Sequence, residues 1–326
     1  MRINLHFVRA LRWLLPAYFR TYRRLEAKHL APTEGAEPST KVQSRLKHYA
    51  YGSTFLAVLM SSLRNRSPST SELSLFEQLS ALASAFDEIA EQYVRENPSL
   101  SRPEGPEAFG KLLEPHGHPL HLLPAIEARL SKTQWIIFRK QLQRVFLVEM
   151  EGRQILTGAG AITQEELENI TAEKGGASVL LFRSVLDHEL STEEVDALSG
   201  FGYLIQLSDD IFDLWQDRQA GILTLATYYA ARNAPELLAD KFEAQVKAVE
   251  KAIRQTPYPV VQQETSLQVL LFLVSITRLC LSHYQDLKQQ HGTLPVENRT
   301  LMVVDMEKWT NLLRAMGYFI YPNTKI

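Results

Sequence analysis

The stretch Gln206-Leu-Ser-Asp-Asp-Ile-Phe-Asp-Leu-Trp-Gln-Asp217 decides how this chain is read. Acids stand at 209, 210, 213 and 217, and Asp209, Asp213 and Asp217 follow an i, i+4, i+8 ladder. On a helix those three carboxylates project from one face across two turns. Asp210 is one residue off the ladder, about 100° round an ideal helix, so it is expected to support the others rather than act beside them. Like charges in a column repel, and the neighbours are apolar: Phe201, Tyr203, Leu204, Ile205, Leu207, Ile211, Phe212, Leu214 and Trp215. A solvated surface stripe normally interleaves Lys with its acids, whereas the first base here is Arg218. A divalent cation is the simplest remedy. Carboxylates with water suit Mg²⁺, which also takes substrate phosphates as ligands.

A second acidic group lies about 120 residues upstream, in Leu82-Ala-Ser-Ala-Phe-Asp-Glu-Ile-Ala-Glu91. Asp87 and Glu91 are an i, i+4 pair with Glu88 beside them. Alone such a pair is ordinary surface decoration. Facing the first cluster across a helical bundle, it would complete a two-walled acidic mouth for several Mg²⁺ ions and a diphosphate.

These residues resemble a known family. Gln206-x-x-Asp209-Asp210-x-x-Asp213-x-x-x-Asp217, followed by Gly221-Ile-Leu-Thr224-Leu225, is similar to the second aspartate-rich motif of the trans-prenyltransferases. Thr171-Ala-Glu-Lys174-Gly175-Gly176 resembles their Lys-Thr-Gly/Ala helix break, and Phe86-Asp87-Glu88-x-x-Glu91 their first motif, with Glu in two places where Asp is usual. The 209/213/217 spacing also resembles the metal triad of class I terpene synthases. The resemblance runs from about residue 40 to 230 and is specific over 170–225. It implies the all-α isoprenoid synthase fold around a central active-site cavity, an allylic prenyl diphosphate substrate, and Mg²⁺ with Mn²⁺ able to substitute. By that resemblance the metal ligands would be Asp87, Glu88, Glu91, Asp209, Asp210, Asp213 and Asp217, and the catalytic set Asp87, Asp209, Asp213 and Lys174. Lys174, Arg218 and Arg314 would contact the diphosphate, and Phe86, Phe182 and Phe212, with Phe55 and Trp215, would line the apolar pocket and face a carbocation.

One departure from the family pattern weighs on the reaction. Chain-elongating prenyltransferases follow the first motif with Arg-Arg-Gly, which helps to hold isopentenyl diphosphate. This chain reads Gln-Tyr-Val-Arg95-Glu-Asn-Pro98 there. The N-terminal Gly-Lys-Arg-x-Arg-Pro stretch is missing too, with Lys41, Arg45 and Lys47 only distantly similar. A single Arg is a poor substitute for a paired clamp. The expectation is therefore a terpene synthase that ionises one diphosphate, the cation then cyclising or losing a proton. The alternatives are a trans-prenyltransferase, either chain-elongating or head-to-head like squalene and phytoene synthases, and a non-catalytic partner subunit of one.

Lys174-Gly175-Gly176 carries an expectation of its own. Two glycines inside a helical pattern cost about 1 kcal/mol each relative to alanine, so they need a reason. A helix break there would expose backbone amides at a cavity wall and bring the Lys174 ammonium to a diphosphate oxygen.

The 326 residues, 45% apolar and 22% charged, suffice for a large core. No linker divides them, so a single domain over 1–326 is expected. Apolar residues at threes and fours predict helices near 4–30, 40–63, 71–95, 124–150, 163–187, 193–217, 234–255, 262–290 and 299–318. Cap signals stand at Thr70 or Ser71, at Thr163 and at Ser191. The architecture is an all-α bundle of roughly ten helices. A net charge of −2 without a basic, aromatic-interleaved stripe argues against nucleic acid. One cysteine, Cys280, excludes an internal disulfide framework and a Cys-based zinc site. His116, His118 and His121 fall in a Pro- and Gly-broken segment that reads as a loop.

Residues 1–35 form a basic amphipathic segment, short for a membrane span and interrupted by Arg9 and Arg12. It is expected to pack on the bundle with its arginines in solvent; the alternative is peripheral contact with a membrane surface. The lack of an export signal gives a cytoplasmic expectation. Dimers are frequent among the resembled enzymes, so the resemblance allows a homodimer, while the sequence itself does not fix the oligomeric state. Prenyl chain length and product skeleton are not written in the sequence.

Overall fold

In the computed structural model the backbone is described for residues 5–30, 40–96, 122–157, 162–305 and 308–320. Side chains at 5–7, 22, 25–30, 40–50, 84–96, 153–157 and 312 lie outside the described set, as does the whole of the His116–His121 segment. The described residues form thirteen α-helices and no strand. In chain order these are α1 Leu5–Leu30, α2 Thr40–Ser62, α3 Thr70–Glu96, α4 Leu122–Glu127, α5 Lys132–Thr157, α6 Gln164–Ser184 and α7 Thr192–Phe212. They continue with α8 Leu214–Ala220, α9 Leu225–Ala231, α10 Pro235–Gln255, α11 Val260–His291, α12 Arg299–Met302 and α13 Trp309–Ile320. Two compact units result: one of residues 1–154, 177–190 and 258–269, the other of 155–176, 191–257 and 270–326.

Most of the expected helices are present within a residue or two, because their caps are strong. Thr163 and Glu166 form a capping box at the start of α6, each side chain accepting from the other's backbone N–H. Ser191 Oγ accepts from the N–H of Glu194 at the start of α7. The box before α3 lies one residue earlier than expected: Ser69 Oγ accepts from Glu72 N–H, and a Glu72 carboxylate oxygen accepts from Ser69 N–H. Three expected helices are interrupted. Residues 124–150 are cut by Ser131, whose hydroxyl accepts from Gln134 N–H to start α5 afresh. The 193–217 helix stops at Asp213, and 299–318 is split into α12 and α13. Helix α9, capped by Thr224 and Thr227, was not expected.

The first unit is held by α2 and α3, with Val58, Leu59, Met60, Leu73, Phe76, Leu79 and Leu82 all buried. Phe138, Leu142, Phe146 and Met150 recur every four residues along α5 and are buried as well. Helix α1 presents Ala10, Ala17 and Thr21 inward, where small side chains permit close approach. Thr54 Oγ1 on α2 donates to Thr21 Oγ1 at 2.9 Å, and Arg24 pairs with Glu77 on α3 at 3.0 Å.

The second unit is built on α7 against α10, whose buried face is Leu238, Phe242, Val246, Val249 and Ile253. Gln245 Nε2 donates to Gly200 O at 2.7 Å across that contact. The part of α11 in this unit buries Leu270, Val274, Leu281 and Tyr284. Helix α11 is long and apolar enough to cross a membrane, but most of its apolar window is buried, as in a core helix. Its Arg278 makes a two-pronged pair with Glu243 of α10, both contacts at 2.7 Å.

Candidate functional site

The acid ladder occupies the end of α7 and the start of α8. Helix α7 stops at Phe212, and Asp213, at φ −92° and ψ 6°, joins it to α8. Its N–H still reaches Asp209 O at 2.9 Å, and Asp217 N–H reaches Asp213 O at 2.8 Å. The i, i+4, i+8 register therefore survives the joint. Gly221 closes α8 at φ 70°, a conformation that disfavours any side chain. On the apolar side, the buried Tyr284 hydroxyl donates to the freed Ile211 carbonyl at 2.9 Å.

The four acids differ in setting. Asp209 is exposed, Asp213 and Asp217 are half-buried, and Asp210 is buried at 6% exposure. The reading of Asp210 as off the ladder holds as geometry, but the direction it faces is inward. There it accepts a hydrogen bond from Gln206 Nε2 at 3.0 Å. Burial pushes its carboxyl up to about 7, with Asp209 and Asp217 adding to the rise and Gln206 and Lys174 opposing it. Asp217 is raised to about 7 as well, by burial, then by Asp213 and Asp209, against the pull of Lys174. These four carboxylates and Lys174 share one electrostatic field. The site also sits at a helix C-terminus, where the backbone carbonyls add partial negative charge.

Lys174 gets there by a route the sequence reading did not foresee. The expected helix break at Gly175-Gly176 is absent: α6 runs unbroken from Gln164 to Ser184. The glycines are instead a crossing point. A Cβ on Gly175 would lie 2.0 Å from Gly202 O, and a Cβ on Gly202 would lie 2.2 Å from Gly175 O. Two helix backbones touch there, which only glycine on both sides allows, and the contact sets Lys174 of α6 beside the acids of α7 and α8. Gly176 faces Ser199 at ordinary contact distance, 3.5 Å. Exposed backbone amides at a broken helix therefore play no part.

Other sequence candidates are scattered. Arg218 is exposed on α8. Arg314 is exposed and pairs with Asp286 at 3.3 Å. Phe212 is exposed at the end of α7. Phe182 is buried in the first unit, its ring 5.3 Å from that of Phe76. The side chains of Phe86, Asp87, Glu88 and Glu91 lie outside the described residues, although their backbone belongs to α3. Tyr203 escaped the sequence reading as a site residue, and Trp215 was expected only as a pocket aromatic. Tyr203 has a buried hydroxyl without a hydrogen-bond partner, and its acidity is suppressed by burial, then by Glu168, Tyr229 and Asp210. Trp215, between the ladder acids, has a buried unpartnered indole N–H and carries Arg299 over its ring at 5.6 Å. Burial also pushes the Cys280 thiol up to about 12, which removes it as a nucleophile.

The donor chemistry fits a hard cation: oxygen ligands only, with carboxylates outnumbering the one lysine whose charge acts on Asp210 and Asp217. Among the described residues no three acids, histidines or cysteines are grouped so as to hold a metal ion as a set. Mg²⁺ does not require such a set, since it is commonly held by one or two carboxylates with waters and substrate phosphate.

A pH dependence follows from these acids. Both raised groups bind more protons in the folded chain than unfolded, so between pH ~4 and ~7 stability falls as pH rises, and it levels off above 7. The metal-free protein is expected to show a lower Tm at pH 8 than at pH 5.5. Added Mg²⁺ should raise Tm more at pH 8, where it meets no proton competition. Thermal scans of the chelator-treated protein at the two pH values check this; a Tm that rises with pH and ignores Mg²⁺ would contradict it.

No protein-family model matches the chain, and no curated protein matches it by sequence. Among solved structures, a geranyltransferase from Legionella pneumophila superposes with a TM-score of 0.50 at 15% sequence identity, over 84% of this chain and 99% of that one. At that identity the likeness is one of fold alone: both are all-α.

Proposed function

We propose that the chain is a Mg²⁺-dependent class I terpene synthase, ionising an allylic prenyl diphosphate and leaving the carbocation to cyclise or lose a proton. The observation that carries this reading is the set of four carboxylates over the α7–α8 joint with Lys174 brought to them by the glycine crossing. Asp209, Asp213 and Asp217 would hold Mg²⁺, with Asp87, Glu88 and Glu91 proposed as further ligands on the sequence pattern alone. Bound Mg²⁺ supplies charge neutralisation for the departing diphosphate. Lys174 would donate to a diphosphate oxygen. Asp210, fixed by Gln206, would keep the Lys174 ammonium in place as a buried counter-charge. Arg314 could join by leaving Asp286, since an exposed pair of that kind holds weakly. The apolar shell of Leu204, Leu207, Ile211 and Leu214, all buried, keeps water from the inner side of the acids.

A second reading, a trans-prenyltransferase, is favoured by the geranyltransferase whose fold the chain shares. Against it stands the missing basic clamp after Glu91. Farnesyl and geranylgeranyl diphosphate, each with Mg²⁺ and with or without isopentenyl diphosphate, separate the two. Hydrocarbon or alcohol products from the allylic substrate alone support the synthase. Products that appear only with isopentenyl diphosphate support elongation, and silence in every mixture supports a partner subunit.

A further inference from the structure

Helix α1 packs inward through Ala10, Ala17 and Thr21, yet its outer face is not that of a solvated helix. Val8, Arg12, Leu15, Phe19 and Arg23 follow one another at i, i+4, i+7, i+11 and i+15, and all five are exposed. Val8 is 44% exposed, Leu15 49% and Phe19 54%, large apolar groups that a solvent-facing helix would replace with polar ones. Five arginines and no acid stand between Val8 and Arg24. Arg24 is taken by Glu77, which leaves Arg9, Arg12, Arg20 and Arg23 along the outer half of the helix. A cleft of about 410 Å³ opens beside them, lined by Val8, Arg9, Arg12, Trp13 and Asn65, with the Arg9 guanidinium 6.0 Å from the Trp13 ring centre.

We infer that the outer face of α1 docks on an anionic phospholipid surface. Alternating arginines and apolar side chains on one helix face match a bilayer boundary, where the apolar groups enter the acyl region and the guanidiniums meet phosphates. A soluble acidic partner would be met by the charges but would have no use for Leu15 and Phe19 standing between them. Trp13 and the Arg9–Arg12 cleft suit the headgroup level, which tryptophan prefers.

The test is flotation of the purified full chain with phosphatidylcholine vesicles and with vesicles of 3:1 phosphatidylcholine to phosphatidylglycerol. Wild type should float with the anionic vesicles and far less with the neutral ones, and the binding should weaken at high salt. At about fivefold per charge, Arg12→Glu/Arg23→Glu, which removes two positive and adds two negative charges, should weaken binding more than about a hundredfold. Leu15→Ser/Phe19→Ser should cost about tenfold for each side chain withdrawn from the bilayer. Both pairs leave Ala10, Ala17 and Thr21 untouched, and circular dichroism with a Tm confirms that the variants fold. Three outcomes would overturn the inference. These are no flotation of wild type, including self-association or nucleic-acid binding in its place; equal binding to both vesicle types; and binding that survives both α1 variants. The last would include loss only on Trp309→Ser/Leu313→Ser, which moves the contact to the exposed apolar face of α13.

Discussion

Gly175→Ala and Gly202→Ala are each expected to destabilise the protein by about 3 kcal/mol or more, the upper range for forcing atoms into a packed contact. The added methyl would meet backbone, not the end of a flexible side chain: Gly202 O at 2.0 Å in the first case and Gly175 O at 2.2 Å in the second. Neither helix can yield locally, so α6 and α7 must separate, and Lys174 leaves the acids with them. The adjacent Gly176→Ala is the control. Its new Cβ would rest 3.5 Å from Ser199, an ordinary contact, and replacing a mid-helix glycine gains up to about 1 kcal/mol in propensity. Urea unfolding of the three variants checks the order. Equal effects at 175 and 176 would remove the crossing as the explanation.

Asp209→Ala and Asp213→Ala are expected to abolish turnover while leaving the fold at least as stable, since each relieves repulsion among neighbouring acids. Asp217→Ala should behave alike if the ladder acts as a metal triad. Asp210→Asn should be milder, a loss of ~10–100-fold of the kind seen when a supporting partner is removed. Its side chain turns inward to Gln206 and lies in the field of Lys174, so on the proposed reading it would act through Lys174 rather than on substrate. Steady-state kinetics of the four variants, with circular dichroism as the folding check, test the order. A dead Asp210→Asn beside a near-normal Asp213→Ala would mean that the inner face carries the chemistry.

The periodic parts of this molecule were legible before any coordinates. Spacing alone placed Asp209, Asp213 and Asp217 on one face, and that register survives a helix joint at Asp213 that the pattern did not announce. Caps at Thr163 and Ser191 were readable because capping is local chemistry over four residues. The box at Ser131 and Gln134 was equally local but lay inside a long apolar pattern that concealed it. The purpose of Gly175 was beyond reach, because its reason stands 27 residues away at Gly202 and depends on which helix crosses which. The same holds for Asp210: periodicity could say it points elsewhere, but not that elsewhere is a buried position beside Gln206 and in the field of Lys174.

The central claim is that these carboxylates hold a metal that drives loss of diphosphate. It is tested most directly by the release of inorganic diphosphate from farnesyl and geranylgeranyl diphosphate, supplied separately to EDTA-treated protein before and after Mg²⁺ is added. The account predicts no release in EDTA, release from one of the two substrates on adding Mg²⁺ or Mn²⁺, and none from Asp213→Ala under any condition. Full release in metal-free buffer, or from Asp213→Ala at the wild-type rate, would contradict it.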